Sequence, residues 1–145
     1  MHMFKKIAFT LSFFLVQFTI YAQQADAILG EWYTTERDAK IEIYKEGNTY
    51  AGKIVWLEQP TENGKPILDA NNADKSKRNQ PILGIKLIEG FKYKNGVWEE
   101  GKIYDPRNGK YYSSTIKKKN AEVLEVRGFV GFSMIGRTVE WYKVK

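Results

Sequence analysis

The sequence predicts an all-β domain built from short antiparallel strands, and two observations carry this prediction. From residue 23 onward no long segment has helical periodicity, whereas apolar and polar residues alternate along segments such as Lys40–Lys45. Turn sequences such as Glu46-Gly47-Asn48 and Asn95-Gly96 separate these segments, and Asn-Gly is a strong hairpin signal. Short strands with a turn every 8–12 residues or so are typical of a β-sandwich or a β-barrel.

Eight strands follow from these patterns, and one long connection interrupts them. The predicted strands are Leu29–Thr35, Lys40–Lys45, Thr49–Glu58, Ile82–Lys94, Val97–Tyr104, Tyr111–Lys118, Glu122–Phe129 and Gly136–Val144. The segment Gln59–Pro81 is long for a connection in a compact domain. Within it, Asn63-Gly64 predicts a small hairpin tip, and residues 71–78 predict one or two helical turns with Asn71 or Asn72 as the cap.

The first 22 residues have the order of charge, apolar run and small residue that is typical of a secretory signal peptide. Lys5 and Lys6 precede the apolar run Ile7–Ile20, and Ala22 offers a cleavage site. The run is shorter than the roughly 20 residues that a membrane-spanning helix needs. We therefore expect residues 1–22 to be removed, leaving one domain of residues 23–145 in the periplasm or outside the cell, without a membrane span.

Charge and composition argue against nucleic-acid binding. The net charge is +6, and removal of Lys5 and Lys6 lowers it to +4. Most of the 23 basic residues are lysine rather than arginine, and arginine is the side chain best suited to phosphates and base edges. A solvated surface is the simpler interpretation, so no nucleic-acid partner is expected.

Much catalytic chemistry is unavailable to the predicted mature chain. The sequence has no cysteine and a single histidine, His2, which lies in the predicted signal peptide. A Ser-His-Asp triad, a thiolate nucleophile and a histidine-bound zinc ion cannot be built without these residues. Asp69, Asn71 and Asp74 do not have the spacing of a calcium loop. We therefore predict no catalytic residue, no metal site and no cofactor.

The first and last predicted strands carry a pattern that favours the barrel over the sandwich. Gly30-Glu31-Trp32 matches the G-x-W sequence that opens lipocalin-like barrels. In those barrels a cation near the end of the last strand stacks on this tryptophan and closes the base, and cation–π attraction is the physical reason. The resemblance implies a structural base formed by Gly30 and Trp32 with Lys143 as the first candidate cation and Arg137 as the second.

Further motifs extend over nearly all of the predicted mature chain. They are Gly30-x-Trp32, Gly52-Lys53-Ile54-Val55-Trp56-Leu57, Asp69-x-Asn71-Asn72-x-Asp74, Arg78-Asn79-Gln80-Pro81-Ile82-Leu83-Gly84, Trp98-x-x-Gly101-Lys102-Ile103-Tyr104-Asp105-Pro106, Gly109-Lys110-Tyr111-Tyr112, Leu124-x-Val126-Arg127-Gly128-Phe129 and Trp141-x-Lys143. With these motifs the chain resembles the bacterial family called domain of unknown function 2147. The resemblance implies a small exported β-barrel and no established activity.

The direction of the strands predicts where a functional end would lie. In an up-and-down barrel every second connection lies at the same end, so the long connections Glu36–Ala39, Gln59–Pro81, Asp105–Lys110 and Val130–Ile135 should frame a mouth. Loops held on a rigid barrel are where binding is usually found. The candidate mouth residues are Asn72, Asp74, Arg78 and Asp105 on a polar rim, Tyr104 beside Asp105, and Phe132 and Met134 as an apolar lid.

Three functions remain open from the sequence. The first is non-catalytic binding of a small apolar or amphipathic molecule, because a barrel of eight strands can enclose one such ligand. The second is a protein- or envelope-interaction module with a filled barrel and an exposed aromatic patch. The third is a carboxylate-based hydrolase, which would need a buried pair of acids in a cleft. An interior cavity would favour the first, and a packed interior the second.

Overall fold

The computed structural model describes residues 15–132 and 134–145. Within this part of the chain, eight strands form one closed antiparallel barrel and two short strands form a separate hairpin. Numbered along the chain, the strands are β1 (Gly30–Tyr33), β2 (Ala39–Glu46), β3 (Thr49–Leu57), β4 (Thr61–Glu62), β5 (Lys65–Pro66), β6 (Lys86–Lys94), β7 (Val97–Asp105), β8 (Lys110–Asn120), β9 (Val123–Phe129) and β10 (Gly136–Lys143). Around the barrel the order is β1-β10-β9-β8-β7-β6-β3-β2. The predicted eight-stranded antiparallel barrel is confirmed.

The barrel closes where the first strand meets the last. Trp32 on β1 lies opposite Ile41 of β2 on one side and opposite Lys143 of β10 on the other. Beyond β1, Thr35 donates a hydrogen bond to the main-chain oxygen of Glu140, 2.9 Å away, which ties the next connection to β10. The two ends of the sheet are therefore joined by main-chain and side-chain bonds.

The alternating strands separate short connections from long ones. At one end, which we call the base, residues 47–48, 95–96 and 121–122 make tight turns. Asn95 and Gly96 both have positive φ, 50° and 86°, as the two-residue hairpin turn requires. At the other end, the mouth, residues 34–38, 58–85, 106–109 and 130–135 make the longer connections. This is the arrangement that strand alternation predicted.

A short 3-10 turn, Asp26–Ile28, closes the base from inside. Ile28 is fully buried, and its main-chain oxygen accepts a hydrogen bond of 2.9 Å from Nε1 of Trp32. Nε1 of Trp98 donates an equally short bond to the main-chain oxygen of Ala25. Two buried indole groups thus hold this turn against the barrel, and the sequence patterns did not predict this element.

Polar contacts fix the same turn at its edge. Asp26 accepts a hydrogen bond from the hydroxyl of Tyr50 and lies 3.3 Å from Nζ of Lys45. The bond from Tyr50 lowers the pKa of Asp26, and burial together with the Asp26 carboxylate raises the pKa of Tyr50. Because both shifts favour the carboxylate and the neutral phenol, the pair is stable in this form at neutral pH.

The predicted base residues divide between the two ends of the barrel. Trp32 is fully buried, and Nζ of Lys143 lies 5.7 Å from the centroid of its ring, within the range of a cation–π contact. Arg137, the second candidate cation, lies opposite Gly128 near the mouth end of β10. Arg137 is therefore too far along the strand to cover Trp32, and its placement at the base is corrected.

Residues 1–14, which contain most of the predicted signal peptide, lie outside the described residues. Residues 15–25 are helical. From this helix the hydroxyl of Tyr21 donates to the main-chain oxygen of Tyr93, 3.0 Å away, and the two rings meet edge to face. No helix in the described ranges has both the length and the apolar character needed to cross a membrane.

The long connection between β3 and β6 is ordered by its own short elements. The hairpin of β4 and β5 turns at Asn63 and Gly64, as predicted. The predicted helical turn is a single 3-10 turn, Lys75–Lys77, and its cap is Asp74 rather than Asn71 or Asn72. Asp74 accepts hydrogen bonds from the amide and the hydroxyl of Ser76, and these bonds lower its pKa.

Candidate functional site

The barrel encloses a cavity of about 750 Å³ that opens at the mouth. Its wall is formed by apolar side chains from six of the strands. They are Ile41, Ile54, Leu87, Ile103, Val126, Val139 and Trp141. A volume of this size lies within the usual range of small-molecule pockets, roughly 300–1,000 Å³. The interior is therefore large enough, and apolar enough, for one small ligand.

The interior below the cavity is packed. Phe91 and Trp98 are buried there, together with Ile43 near the base. The Phe91 ring lies so close to Gly101 that a Cβ atom at residue 101 would come within 2.4 Å of it. The missing side chain on β7 thus makes room for the phenyl ring.

Charged and polar side chains surround the opening. Arg107 holds Asp105 through two side-chain bonds, with Nε 3.0 Å from Oδ1 and Nη2 3.1 Å from Oδ2. Burial opposes ionisation of Asp105, but the bonds and charge of Arg107 outweigh it, and the pKa of Asp105 is lowered. Asp38 accepts a 2.7 Å bond from the hydroxyl of Thr34. The rim therefore carries ionised groups at neutral pH.

A buried carboxylate fastens the long connection to the barrel wall. Asp69 is only 2% exposed and accepts bonds from the hydroxyl of Tyr104, at 2.7 Å, and from Nδ2 of Asn72, at 2.8 Å. Nε of Arg78 donates to the main-chain oxygen of Asn72 at 2.8 Å. We call these four residues the latch. It joins the connection to β7, the strand that carries Tyr104.

A second contact places the same connection beside the mouth. Nδ2 of Asn71 donates to the main-chain oxygens of Pro106 and Arg107 in the turn between β7 and β8. Gly109 ends that turn with a φ of 71°, and a Cβ atom there would collide with the main-chain oxygen of Asn71. Only glycine fits this backbone conformation and this close approach.

The predicted mouth residues have different positions in the structure. Tyr104 and Asp105 line the cavity, although the hydroxyl of Tyr104 is engaged by Asp69. Asn72 and Arg78 lie in the latch, and Asp74 caps the nearby 3-10 turn. Their side chains are thus bonded within the long connection. As ligand contacts these residues stay predictions.

The two predicted lid residues lie on the connection between β9 and β10. Phe132 and Met134 are 80% and 89% exposed, whereas their neighbours Val130 and Ile135 line the cavity. In this conformation the apolar side chains of residues 132 and 134 point into solvent at the mouth. Closure by these two residues stays a prediction.

Two residues of the site were not assigned to it from the sequence. The spacing of Asp69 argues against a calcium loop but identifies no partner for it, whereas in the structure it accepts bonds from Tyr104 and Asn72. Arg137 lines the cavity. Alternation along β10 from the buried Trp141 through Val139 would have placed it on the inner face. Among the described residues no group of three or more acidic, histidine or cysteine side chains is arranged to hold a metal ion.

These features define a small lipocalin-like barrel with an apolar cavity open at one end. The chain belongs to the family described as "Uncharacterized protein conserved in bacteria (DUF2147)", which matches residues 30–143. Among solved structures it is similar to protein HP1028 from Helicobacter pylori, described as belonging to the lipocalin family. That match has 17% sequence identity and a TM-score of 0.71, and it covers 81% of this chain and 83% of the other. A comparison with curated proteins found no significant match.

Proposed function

We propose that this protein binds a small apolar or amphipathic molecule in its barrel cavity and has no catalytic role. The observation that carries the proposal is the cavity of about 750 Å³ with its apolar wall. Transfer of an apolar group from water to such a wall is favourable by about 25 cal/mol per Å² of surface removed from water. The interaction module that the sequence left open requires a filled barrel, so the cavity favours the binder.

Filling the cavity is expected to abolish binding. Val139 lines the cavity from β10, whereas the next residue toward the mouth, Thr138, faces outward and bonds to Arg127. We expect Val139→Trp to weaken binding of the neutral fluorescent probe N-phenyl-1-naphthylamine by about tenfold or more, which corresponds to 1.4 kcal/mol. Thr138→Trp is the matched control and should bind the probe like the unmodified protein.

The measurement is a fluorescence titration, with circular dichroism to show that both variants keep their β structure. Saturable binding with a blue-shifted emission supports a site inside the barrel. Absence of saturable binding to the unmodified protein would contradict the proposal. Equal affinities of the two folded tryptophan variants would also contradict it, because the probe would then lie outside the cavity.

We also propose that the protein is exported and acts in the periplasm or outside the cell. The charged start and apolar run of residues 1–20 support this proposal. Cleavage after Ala22 would leave Ala25 and the turn Asp26–Ile28 on the mature chain, so the base would keep its bonds to Trp32 and Trp98.

Mass spectrometry of the protein from its native envelope or medium tests export. We expect an N-terminus close to Gln23, shortly before the buried side chain of Ala25. Intact protein that begins at Met1 or Met3 and is found in the cytoplasm would show that export does not occur.

A further inference from the structure

We propose that the molecule held in the cavity has an anionic head group, and that Arg137 binds this group at the mouth. The inference rests on the proposed function, since it describes the ligand of the same cavity. It follows from the position of Arg137, from the bonds that the other charged rim residues make, and from the chemistry of the guanidinium group.

Arg137 continues the apolar inner face of β10 toward the mouth. Trp141, Val139 and Arg137 alternate along the strand, and all three line the cavity. The residue opposite Arg137 on β9 is Gly128, which has no side chain to fill the adjacent inner surface. The guanidinium group therefore stands where the apolar wall ends and space remains beside it.

Arg137 differs from Arg107, the other arginine that lines the cavity, in its side-chain partners. Arg107 is engaged by Asp105 in a two-bond ion pair, and the charge of Asp38 also acts on it. Within the described ranges the side chain of Arg137 makes no hydrogen bond and no ion pair with the protein, and only its main chain pairs with β9. Its donors are thus available to a ligand, whereas those of Arg107 are already used.

The chemistry of the two regions then sets the character of the ligand. An apolar tail is stabilised by the wall of the cavity, but an unpaired charge cannot be buried there without a large desolvation cost. A head group therefore stays at the mouth. A guanidinium group offers a planar pair of donors that matches carboxylate and phosphate oxygens.

Besides Asp105, which is paired with Arg107, two further acidic residues line the rim and would favour a ligand with a cationic head group. Glu36 and Asp38 lie on the connection between β1 and β2, and Asp38 is bonded to Thr34. Neither belongs to the inner face of a strand, whereas Arg137 does. A cationic head group would instead be attracted to these two carboxylates, so the sign of the preferred charge separates the two assignments.

Four ligands with the same twelve-carbon tail test the proposal by isothermal titration calorimetry below their micelle concentrations. They are dodecanoate, dodecyl phosphate, 1-dodecanol and dodecyltrimethylammonium. We expect one or both anions to bind about tenfold or more tightly than 1-dodecanol, because a guanidinium group makes charge-assisted hydrogen bonds to an anionic oxygen that a neutral hydroxyl does not match. The relative affinities of the two anions show whether a carboxylate or a phosphate is the better head group.

Variants of the arginine complete the test. Arg137→Gln should remove the preference for anions and leave the affinity for 1-dodecanol unchanged, and Arg137→Lys should keep part of the preference. Arg127→Gln, on β9 close to the same end of the barrel and bonded to Thr138, is the matched control and should behave like the unmodified protein.

The outcomes distinguish this inference from the function on which it rests. If 1-dodecanol binds as tightly as the anions, if the cation binds best, or if Arg137→Gln keeps the preference for anions, the head-group assignment is overturned while the cavity remains a binding site. If none of the four ligands binds, the proposed function fails and the assignment of Arg137 fails with it.

Discussion

Replacement of Trp32 by alanine is expected to destabilise the barrel by about 3–5 kcal/mol, the range for large-to-small changes of aromatic residues in cores. Trp32 is fully buried between β2 and β10. Its loss would leave a void at the base and would remove the donor to the main-chain oxygen of Ile28. Because that bond holds the turn Asp26–Ile28, the closed end of the barrel would loosen with it.

Equilibrium unfolding in urea measures this effect, and three further variants separate its parts. Trp32→Phe keeps most of the ring volume but loses the indole donor, so we expect a cost of about 1–3 kcal/mol for the unpaired buried oxygen. Lys143→Met removes the cation 5.7 Å from the ring and should cost about 0.5–1 kcal/mol. Trp56→Ala is the control, because this tryptophan is 38% exposed. A loss below about 1 kcal/mol for Trp32→Ala would contradict a buried role at the base.

The strands and their directions could be predicted because the signals for them are local. Asn95-Gly96 fixes one hairpin through the positive φ angles of its own two residues. The alternation of Ile41 and Ile43 with polar neighbours fixes which face of β2 is buried, and both isoleucines are buried in the structure. Once eight such strands are counted, their alternating direction alone separates the mouth from the base.

The contacts that close the base and order the mouth depend on residues far apart in the sequence. Ala25 is held by Trp98, 73 positions away, and Asp69 is held by Tyr104, 35 positions away. Neither the spacing of the turns nor the amino-acid composition identifies which residues pair over such separations. The register shift in β7 between Trp98 and Gly101, where Glu100 has a φ of 61°, likewise depends on how the strand packs against its neighbours.

The site itself was only partly predictable for the same reason. The alternating direction of the strands predicted that Asp105 lies at the mouth of the barrel. It could not show that Arg107 neutralises this carboxylate. It also could not show that Asn72 and Arg78 bond within the long connection instead of facing the opening. A residue near a mouth becomes a ligand contact only if its donors and acceptors are left unused, and that depends on tertiary contacts.

Loss of the bond between Tyr104 and Asp69 is expected to open the long connection and to destabilise the protein strongly. Tyr104→Phe removes one donor from a carboxylate that is 2% exposed, and hydrogen bonds to charged groups contribute about 1.5–3 kcal/mol. Asp69→Ala should cost more, because it leaves the hydroxyl of Tyr104 and the amide of Asn72 buried without an acceptor. The free energy of unfolding in urea measures both effects.

A double-mutant cycle shows whether these costs belong to one interaction. If the two side chains act together, the doubly substituted protein loses less stability than the two single changes add up to, by about 1 kcal/mol or more. Limited proteolysis of residues 58–85 provides a local readout, and cleavage there should be faster in each variant. Tyr111→Phe, whose ring packs beside Tyr104 but is exposed, is the matched control. Additive losses with unchanged proteolysis would mean that Asp69 and Tyr104 do not fasten the connection.

The bond between Tyr104 and Asp69 is also expected to make the stability of the protein fall at alkaline pH. Burial raises the pKa of Tyr104 above its ordinary value, and the neighbouring Asp69 carboxylate raises it further. In the unfolded chain the phenol ionises near pH 10. A group whose pKa is higher in the folded state contributes stability that is fully present below the unfolded pKa and is lost as pH rises through the folded one. Unfolding should therefore become easier above about pH 10, and Tyr104→Phe should reduce this dependence, leaving the part due to Tyr50, whose pKa is raised in the same way. An identical loss of stability with pH in the two proteins would show that the phenol of Tyr104 is not held neutral by its place in the latch.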